Sequence, residues 1–183
     1  MSGIERVVVV GSSGSGKTTV AREVADRLDL PLMELDALAH RGGWDATPLD
    51  VFQEELRAFT ARERWVVDGN YASRGTRDIV WPRANTFIWL DPPKREVMRR
   101  VVARTLKRVI TRQELWNGLK EPFTNLYSLD PYKNIIVWSW TRFDYVRERY
   151  ETTMRDGSWD HAVVHRLRST TETRRFLDSL SQI

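Results

Sequence analysis

The chain has 183 residues and is mildly basic, with 29 Lys and Arg against 25 Asp and Glu and a net charge of +4. That length suits one domain, expected to span 1–183, with a core that needs no staples. There is no cysteine, which excludes disulfides, thiol nucleophiles and thiolate metal sites, and no apolar run reaches the ~18 residues that a membrane helix requires.

The first apolar run opens at Ile4 and continues through Val7-Val8-Val9-Val10, which predicts a buried parallel strand. Its position predicts no secretory leader and, with the missing cysteines, a reducing, cytoplasmic setting. Gly11-Ser12-Ser13-Gly14-Ser15-Gly16-Lys17-Thr18 follows, a full match to the phosphate-loop pattern G-x-x-x-x-G-K-[ST]. The loop opens onto a helix from Thr19 to Leu28, with Val20, Val24 and Leu28 on one stripe beside Ala21 and Ala25. Strand, loop and helix in this order make an anion cradle: glycines let N–H groups turn inward, and the helix terminus adds positive dipole. In such a loop Lys17 reaches the β- and γ-phosphates, and the Thr18 hydroxyl can ligate Mg²⁺.

Pro31 to Leu35 reads as a second strand ending at Asp36. Arg41-Gly42-Gly43-Trp44 is a loop. Thr47 as cap, Pro48 at the first helical position and Asp50 in the first turn start a helix to about Ala61, with Phe52, Leu56 and Phe59 on one face. Trp65-Val66-Val67 is a third strand ending at Asp68-Gly69-Asn70-Tyr71. Thr86 to Leu90 is a fourth, ending at Asp91, and Pro92-Pro93 begin a long helix to about Ile110. The stretch 111–130 is irregular. Asn134 to about Met154 is an aromatic-rich helix in which Ile136, Trp140 and Phe143 have packing spacing. Ala162 to Leu167 is a fifth strand, and Thr170 to Leu180 a closing helix.

Apolar strands alternating with helices predict an α/β fold with a five-stranded parallel sheet covered on both faces. Ligands of such sheets bind beyond the carboxyl ends of the strands, where Asp36, Asp68 and Asp91 all fall. Asp36 reads as a general base or orienter for an acceptor hydroxyl, or as a turn-capping acid. Asp68 reads as the acid that holds Mg²⁺, and Asp91 as a helix cap. Trp44 reads as an acceptor-pocket wall or a loop anchor. His40, His161 and His165 have no ligand spacing, and His40 reads as structural.

From Lys94 to Arg112 there are eight basic residues and one acid, Glu96. Arg100, Arg104 and Arg108 share one helical stripe, and Arg112 follows one turn later. Three readings stand: a lid whose arginines close on a transferring phosphate, a nucleic-acid patch, or a solvated face.

The run Gly11–Thr18, Leu35-Asp36-Ala37-Leu38, Trp44 with Thr47-Pro48, Trp65 to Tyr71, Leu90-Asp91-Pro92 and Arg166-Leu167-Arg168-Ser169 resembles the adenylate-kinase-like branch of phosphate-loop kinases. Within that branch it looks like the small bacterial proteins labelled DNA topology modulation proteins. The resemblance implies a P-loop NTPase fold with a mobile lid after the fourth strand, at about 111–122. It implies ATP with Mg²⁺ as cofactors, with Ser12, Ser13, Ser15, Thr19 and Arg168 beside the nucleotide. It implies an acceptor held by Asp36, Trp44, Asn70 and Tyr71. Where adenylate kinases place an acceptor-phosphate arginine, Asn70-Tyr71-Ala72 stands here, with Arg74 and Arg77 as nearby substitutes. Asp36 resembles the acid of small-alcohol kinases such as shikimate or gluconate kinases.

The expected function is ATP- and Mg-dependent transfer of the γ-phosphate to a small-molecule acceptor, a nucleoside, nucleotide or small alcohol. Lys17, Asp36, Arg104, Arg108 and Arg112 are the expected catalytic groups. The alternative is a nucleotide-binding regulatory ATPase that contacts DNA, although no helix-turn-helix or zinc module is visible.

Overall fold

The computed structural model describes residues 3–41, 46–112, 128–131 and 134–180. Its elements are β1 (Arg6–Gly11), α1 (Lys17–Leu28), β2 (Leu32–Glu34), α2 (Leu35–Ala39), α3 (Leu49–Thr60), β3 (Trp65–Asp68), α4 (Thr76–Ile79), β4 (Thr86–Leu90), α5 (Lys94–Thr111), α6 (Ile135–Arg155), β5 (Val163–Leu167) and α7 (Thr170–Leu180). Two 3₁₀ turns, Ala72–Arg74 and Trp81–Arg83, flank α4.

The strands form one parallel sheet in the order β2-β3-β1-β4-β5. Their apolar runs are hidden on both sides because helices cover both faces. Val8 and Val10 of β1 join one cluster with Leu35, Phe52, Trp65, Phe87, Trp89 and Tyr150. Val7 and Val9 join the other, with Val20, Val24, Ile88 and Leu180. That two-residue alternation is the strand period itself. The register brings Asp68 level with Val9 and with Glu34, and Leu90 level with Gly11 and Leu167. The carboxyl ends of all five strands therefore open on one rim, and the phosphate loop leaves β1 at its centre.

Four sequence expectations give way here. β2 ends at Glu34, so Asp36 stands in the first turn of α2 rather than at a strand end. Thr47 does not cap α3; its hydroxyl donates to the Leu38 carbonyl at 2.6 Å, and Pro48 takes the cap position. Trp140 does not pack; it is 57% exposed, with the Lys94 ammonium 4.4 Å from its ring centre. Asp91 does not cap α5, whose N-cap is Pro93. The Asp91 carboxylate is buried and accepts from Arg166 Nε and Nη at 2.9 and 2.6 Å, with Arg147 at 3.3 Å. Arg166 in turn lies 4.0 Å over the Trp89 ring and reaches Glu151 at 2.7 Å, so this network fastens α6 to β4 and β5.

Asn134 does cap α6, accepting from the N–H groups of Ile136 and Val137. Trp44 and most of the lid expected at about 111–122 lie outside the described residues. Among the described residues no helix is long and apolar enough to cross a membrane.

The two readings of Asp91 differ in magnitude. Losing a cap costs about 1 kcal/mol. Removing one partner of a buried ion pair costs about 3 kcal/mol or more. Asp91→Ala is expected to lower unfolding stability by about 3 kcal/mol, measured by urea denaturation; a loss near 1 kcal/mol would restore the cap.

Candidate nucleotide site and its acid pair

The phosphate loop is held from two sides. Gly14 has φ +81°, and a Cβ there would strike the Val101 side chain, so the loop lies directly on α5. Gly16 has φ +102° and is the N-cap of α1, a left-handed position that suits glycine. Arg100 of α5 donates to the Ser15 carbonyl at 3.0 Å and to the Thr170 hydroxyl at 2.9 Å, and also pairs with Glu96. The arginine stripe thus begins with a residue that braces the loop. Its four-residue spacing was visible in the sequence, but not the loop backbone it meets.

Lys17 opens α1, and its ammonium donates to the Ser12 carbonyl at 3.0 Å. Burial pushes its pKa down, against the pull of the Asp68 and Asp36 carboxylates; the Arg104 guanidinium pushes it down further. Thr18 donates to Asp68 Oδ2 at 2.6 Å. Asp68 is 4% exposed, and its Oδ1 is buried without a hydrogen-bond partner. Burial raises the Asp68 pKa, with Lys17 and the Thr18 bond opposing. Glu34, level with Asp68 on the neighbouring strand, is neutralised by Arg22 through bonds of 2.6 and 3.0 Å. Asp36 accepts from the Tyr71 hydroxyl at 2.8 Å, and burial, with Asp36 beside it, drives the Tyr71 phenol far above its ordinary pKa.

Asn70 is placed differently from expectation. Its amide N–H donates to the Gly11 carbonyl, and its oxygen accepts from the Tyr150 hydroxyl at 2.7 Å. Both ends of the amide are engaged by protein, so Asn70 braces the start of the loop. Tyr150, on α6, had no signal in the sequence beyond its aromatic spacing.

The structure therefore brings together the loop from Gly11 to Thr18, Asp36, Asp68, Tyr71 and the charge of Arg104. Ser12 and Ser15 are buried, Ser13 is half-buried and Thr19 is exposed. Arg74 donates to the Thr47 carbonyl and lies 4.6 Å over Phe52, and its charge acts on the Tyr71 phenol. Arg77 lies 4.7 Å over Trp81. Arg168 is exposed, and its backbone N–H donates to Glu172 at 2.8 Å. Arg108 is half-buried and Arg112 exposed at the end of α5. At about 1.5 Å rise per residue, they stand roughly 6 and 12 Å beyond Arg104 along the helix.

These are the features of a phosphate-loop α/β protein. A family model described as "ATPase family associated with various cellular activities (AAA)" matches residues 7–67, from β1 to β3. A shikimate kinase of Thermobifida fusca (strain YX) is 44% identical over 75 residues, 40% of this chain and 42% of that protein, so the match spans less than half of that relative's length. A shikimate kinase of Rhodococcus jostii (strain RHA1) is 30% identical over 121 residues, 57% of this chain and 70% of that protein. The solved shikimate kinase from Acinetobacter baumannii in complex with shikimate aligns over 98% of this chain and 92% of that one with a TM-score of 0.54; at 17% identity this is a likeness of fold. The chain belongs to the shikimate kinase family of phosphate-loop proteins.

That family implies a nucleoside triphosphate with Mg²⁺. Among the described residues no three His, Asp or Glu side chains converge on a metal. The donors that fit are Asp68, with its unpartnered Oδ1, and the Thr18 hydroxyl. A small hard cation held by one carboxylate and one hydroxyl takes its remaining ligands from phosphate and water, which is the habit of Mg²⁺.

The shifted groups bound the pH range of binding from both sides. The raised Asp68 pKa means that its charge is lost on acidification at a higher pH than an exposed aspartate would lose it. The lowered Lys17 pKa means that the ammonium is lost on alkalinisation at a lower pH than a free lysine would lose it. Affinity for Mg²⁺-ATP measured by calorimetry against pH is expected to fall on both flanks. Asp68→Asn is expected to flatten the acid flank alone; an unchanged acid flank would remove Asp68 from the metal.

Proposed function

We propose that the chain transfers the γ-phosphate of ATP, with Mg²⁺, to a hydroxyl group of a small-molecule acceptor. One observation carries the reading: two carboxylates with separate partners act on the same ammonium. Asp68 is tied to the loop through Thr18, and Asp36 is tied to the acceptor side through Tyr71, while both raise the pKa of Lys17. Such a pair divides metal and acceptor work between two acids.

Lys17 holds the transferring phosphate, and Thr18 and Asp68 hold the cation, which neutralises charge on the phosphates when bound. Asp36 orients the acceptor hydroxyl and takes its proton. The acceptor oxygen bonds to the γ-phosphorus, the bond to the β-bridging oxygen breaks, and ADP leaves. Arg104 supplies positive charge beside Lys17. Arg108 and Arg112, farther along α5, are assigned to a lid that closes over the phosphates, a fork geometry suited to spread negative charge. Trp44 is assigned to the acceptor pocket and Arg168 to the nucleotide.

The regulatory, DNA-contacting reading rests on the resemblance to proteins labelled DNA topology modulation proteins and on the basic helix. Against it, Arg100 is bound to the loop and the charge of Arg104 is felt at Lys17, so this part of the stripe is directed to the phosphate loop.

The test is ADP release across nucleosides, nucleotides, sugars and small hydroxy acids, shikimate among them. One acceptor class is expected to raise ADP release well above basal hydrolysis. With that acceptor, Asp36→Asn is expected to lower turnover by ~10²–10⁴ while ATP affinity stays the same. Full transfer by Asp36→Asn would remove the acid from the chemistry. Hydrolysis indifferent to every acceptor would favour the regulatory reading.

A further inference from the structure

A second feature lies away from the phosphate loop. Between α4 and α6 there is a cleft of about 260 Å³, lined by Arg77 on one side and by Tyr145, Glu148, Arg149, Thr153 and Asp156 on the other. The α6 residues recur at three- and four-residue intervals, so one helical stripe forms the whole wall.

The two guanidiniums are unusual in their partners. Both residues are half-buried. Arg77 stacks 4.7 Å over Trp81 and has one long contact of 3.5 Å to the Thr153 hydroxyl. Arg149 lies 5.2 Å from the centre of the Tyr150 ring and has one contact of 3.4 Å to its hydroxyl. The Nε atom of each is buried with no hydrogen-bond partner. Neither arginine forms an ion pair among the described residues. Their charges converge, because both act on the Tyr150 phenol.

Of the acids of the cleft, Asp156 feels the charge of Arg77, but neither acid forms an ion pair with either arginine. Asp156 accepts from the Ser158 N–H at 3.0 Å and from its hydroxyl at 2.5 Å. Glu148 is exposed and forms no ion pair with either arginine. Half-buried like charges that no ion pair closes on are costly, and an oxyanion that accepts from both forks would relieve them. The aromatic faces of Trp81 and Tyr150 hold the guanidinium planes in place beforehand, which lowers the entropy lost on binding.

We propose that the α4–α6 cleft is an oxyanion site that takes the carboxylate or phosphate group of a small anion between Arg77 and Arg149. Its volume admits one such group with a short attached skeleton. Arg77, a substitute acceptor-phosphate arginine in the sequence, is assigned here to this cleft instead, and neither arginine carries a step of the proposed transfer.

The test fills the phosphate loop first. The chain is saturated with Mg²⁺ and a non-hydrolysable ATP analogue, whose own isotherm reports whether the nucleotide reading holds. Inorganic phosphate and, separately, acetate are then titrated by calorimetry at constant ionic strength. One saturable site per chain is expected for at least one of the two anions, and the stronger binder identifies the group. Arg77→Gln with Arg149→Gln is expected to weaken that binding at least tenfold. Should the double variant not fold, Arg149→Lys keeps the charge but removes the fork, and a several-fold loss is expected. No saturable binding of either anion, or binding unchanged in the variants, would overturn the site.

Discussion

The structure turns on a carboxylate that is buried where a carboxylate is expensive. Asp68 ends a central strand, is almost fully hidden, and feels two further acids, Asp36 and Glu34. It is tolerated because the first two residues of α1 face it, one with an ammonium and one with a hydroxyl. That encounter follows from parallel register: β3 ends at Asp68, level with Val9 and two residues short of the end of β1, so the helix that begins after the loop returns over the end of β3. An antiparallel neighbour would have sent its C-terminal residue to the opposite rim. Sheet topology therefore brings the loop and its acid together before any side chain chooses a rotamer.

Around that contact the fold supplies braces drawn from distant segments. Arg100 of α5 and Asn70 after β3 each grip a loop carbonyl, and Tyr150 of α6 orients Asn70. The Asp91–Arg166–Glu151 network then fixes α6 against the sheet. The long helices before and after residues 113–127 are thus both connected to the loop by hydrogen bonds. A displacement of either helix would be felt at the loop carbonyls.

Much of this was legible in the sequence because the signals were local. Thr86 to Leu90 and Thr170 to Leu180 appear where the apolar patterns place them, and the loop motif carries its own strand and helix. What was not legible depends on partners far along the chain. Asp91 looks like a helix cap because Pro92 and Pro93 follow it; its actual partner, Arg166, is 75 residues away. The family resemblance makes Asn70 an acceptor contact, yet its two bonds go to residues 59 and 80 positions distant. Thr47 has the right type for a cap but finds the Leu38 carbonyl first. In each case the residue type was read correctly as a hydrogen-bonding group, and tertiary contact decided the partner.

Unpartnered polar atoms alone do not mark a site in this molecule. The indole nitrogens of Trp65 and Trp159 and the hydroxyl of Thr105 are also buried without partners, within the packed interior. A neutral donor left in that state costs about 1–3 kcal/mol, which a well-packed core can absorb. A charge is different, because its penalty grows with desolvation unless something of opposite sign arrives. Asp68 Oδ1 keeps an open acceptor beside the phosphate loop although Lys17 faces the carboxylate, and Arg77 and Arg149 lie together in an open cleft without an ion pair. The guanidinium nitrogens Arg6 Nε and Arg74 Nε are buried without partners as well, so charge alone does not mark a site; convergence of charges beside a cleft is what the α4–α6 wall adds.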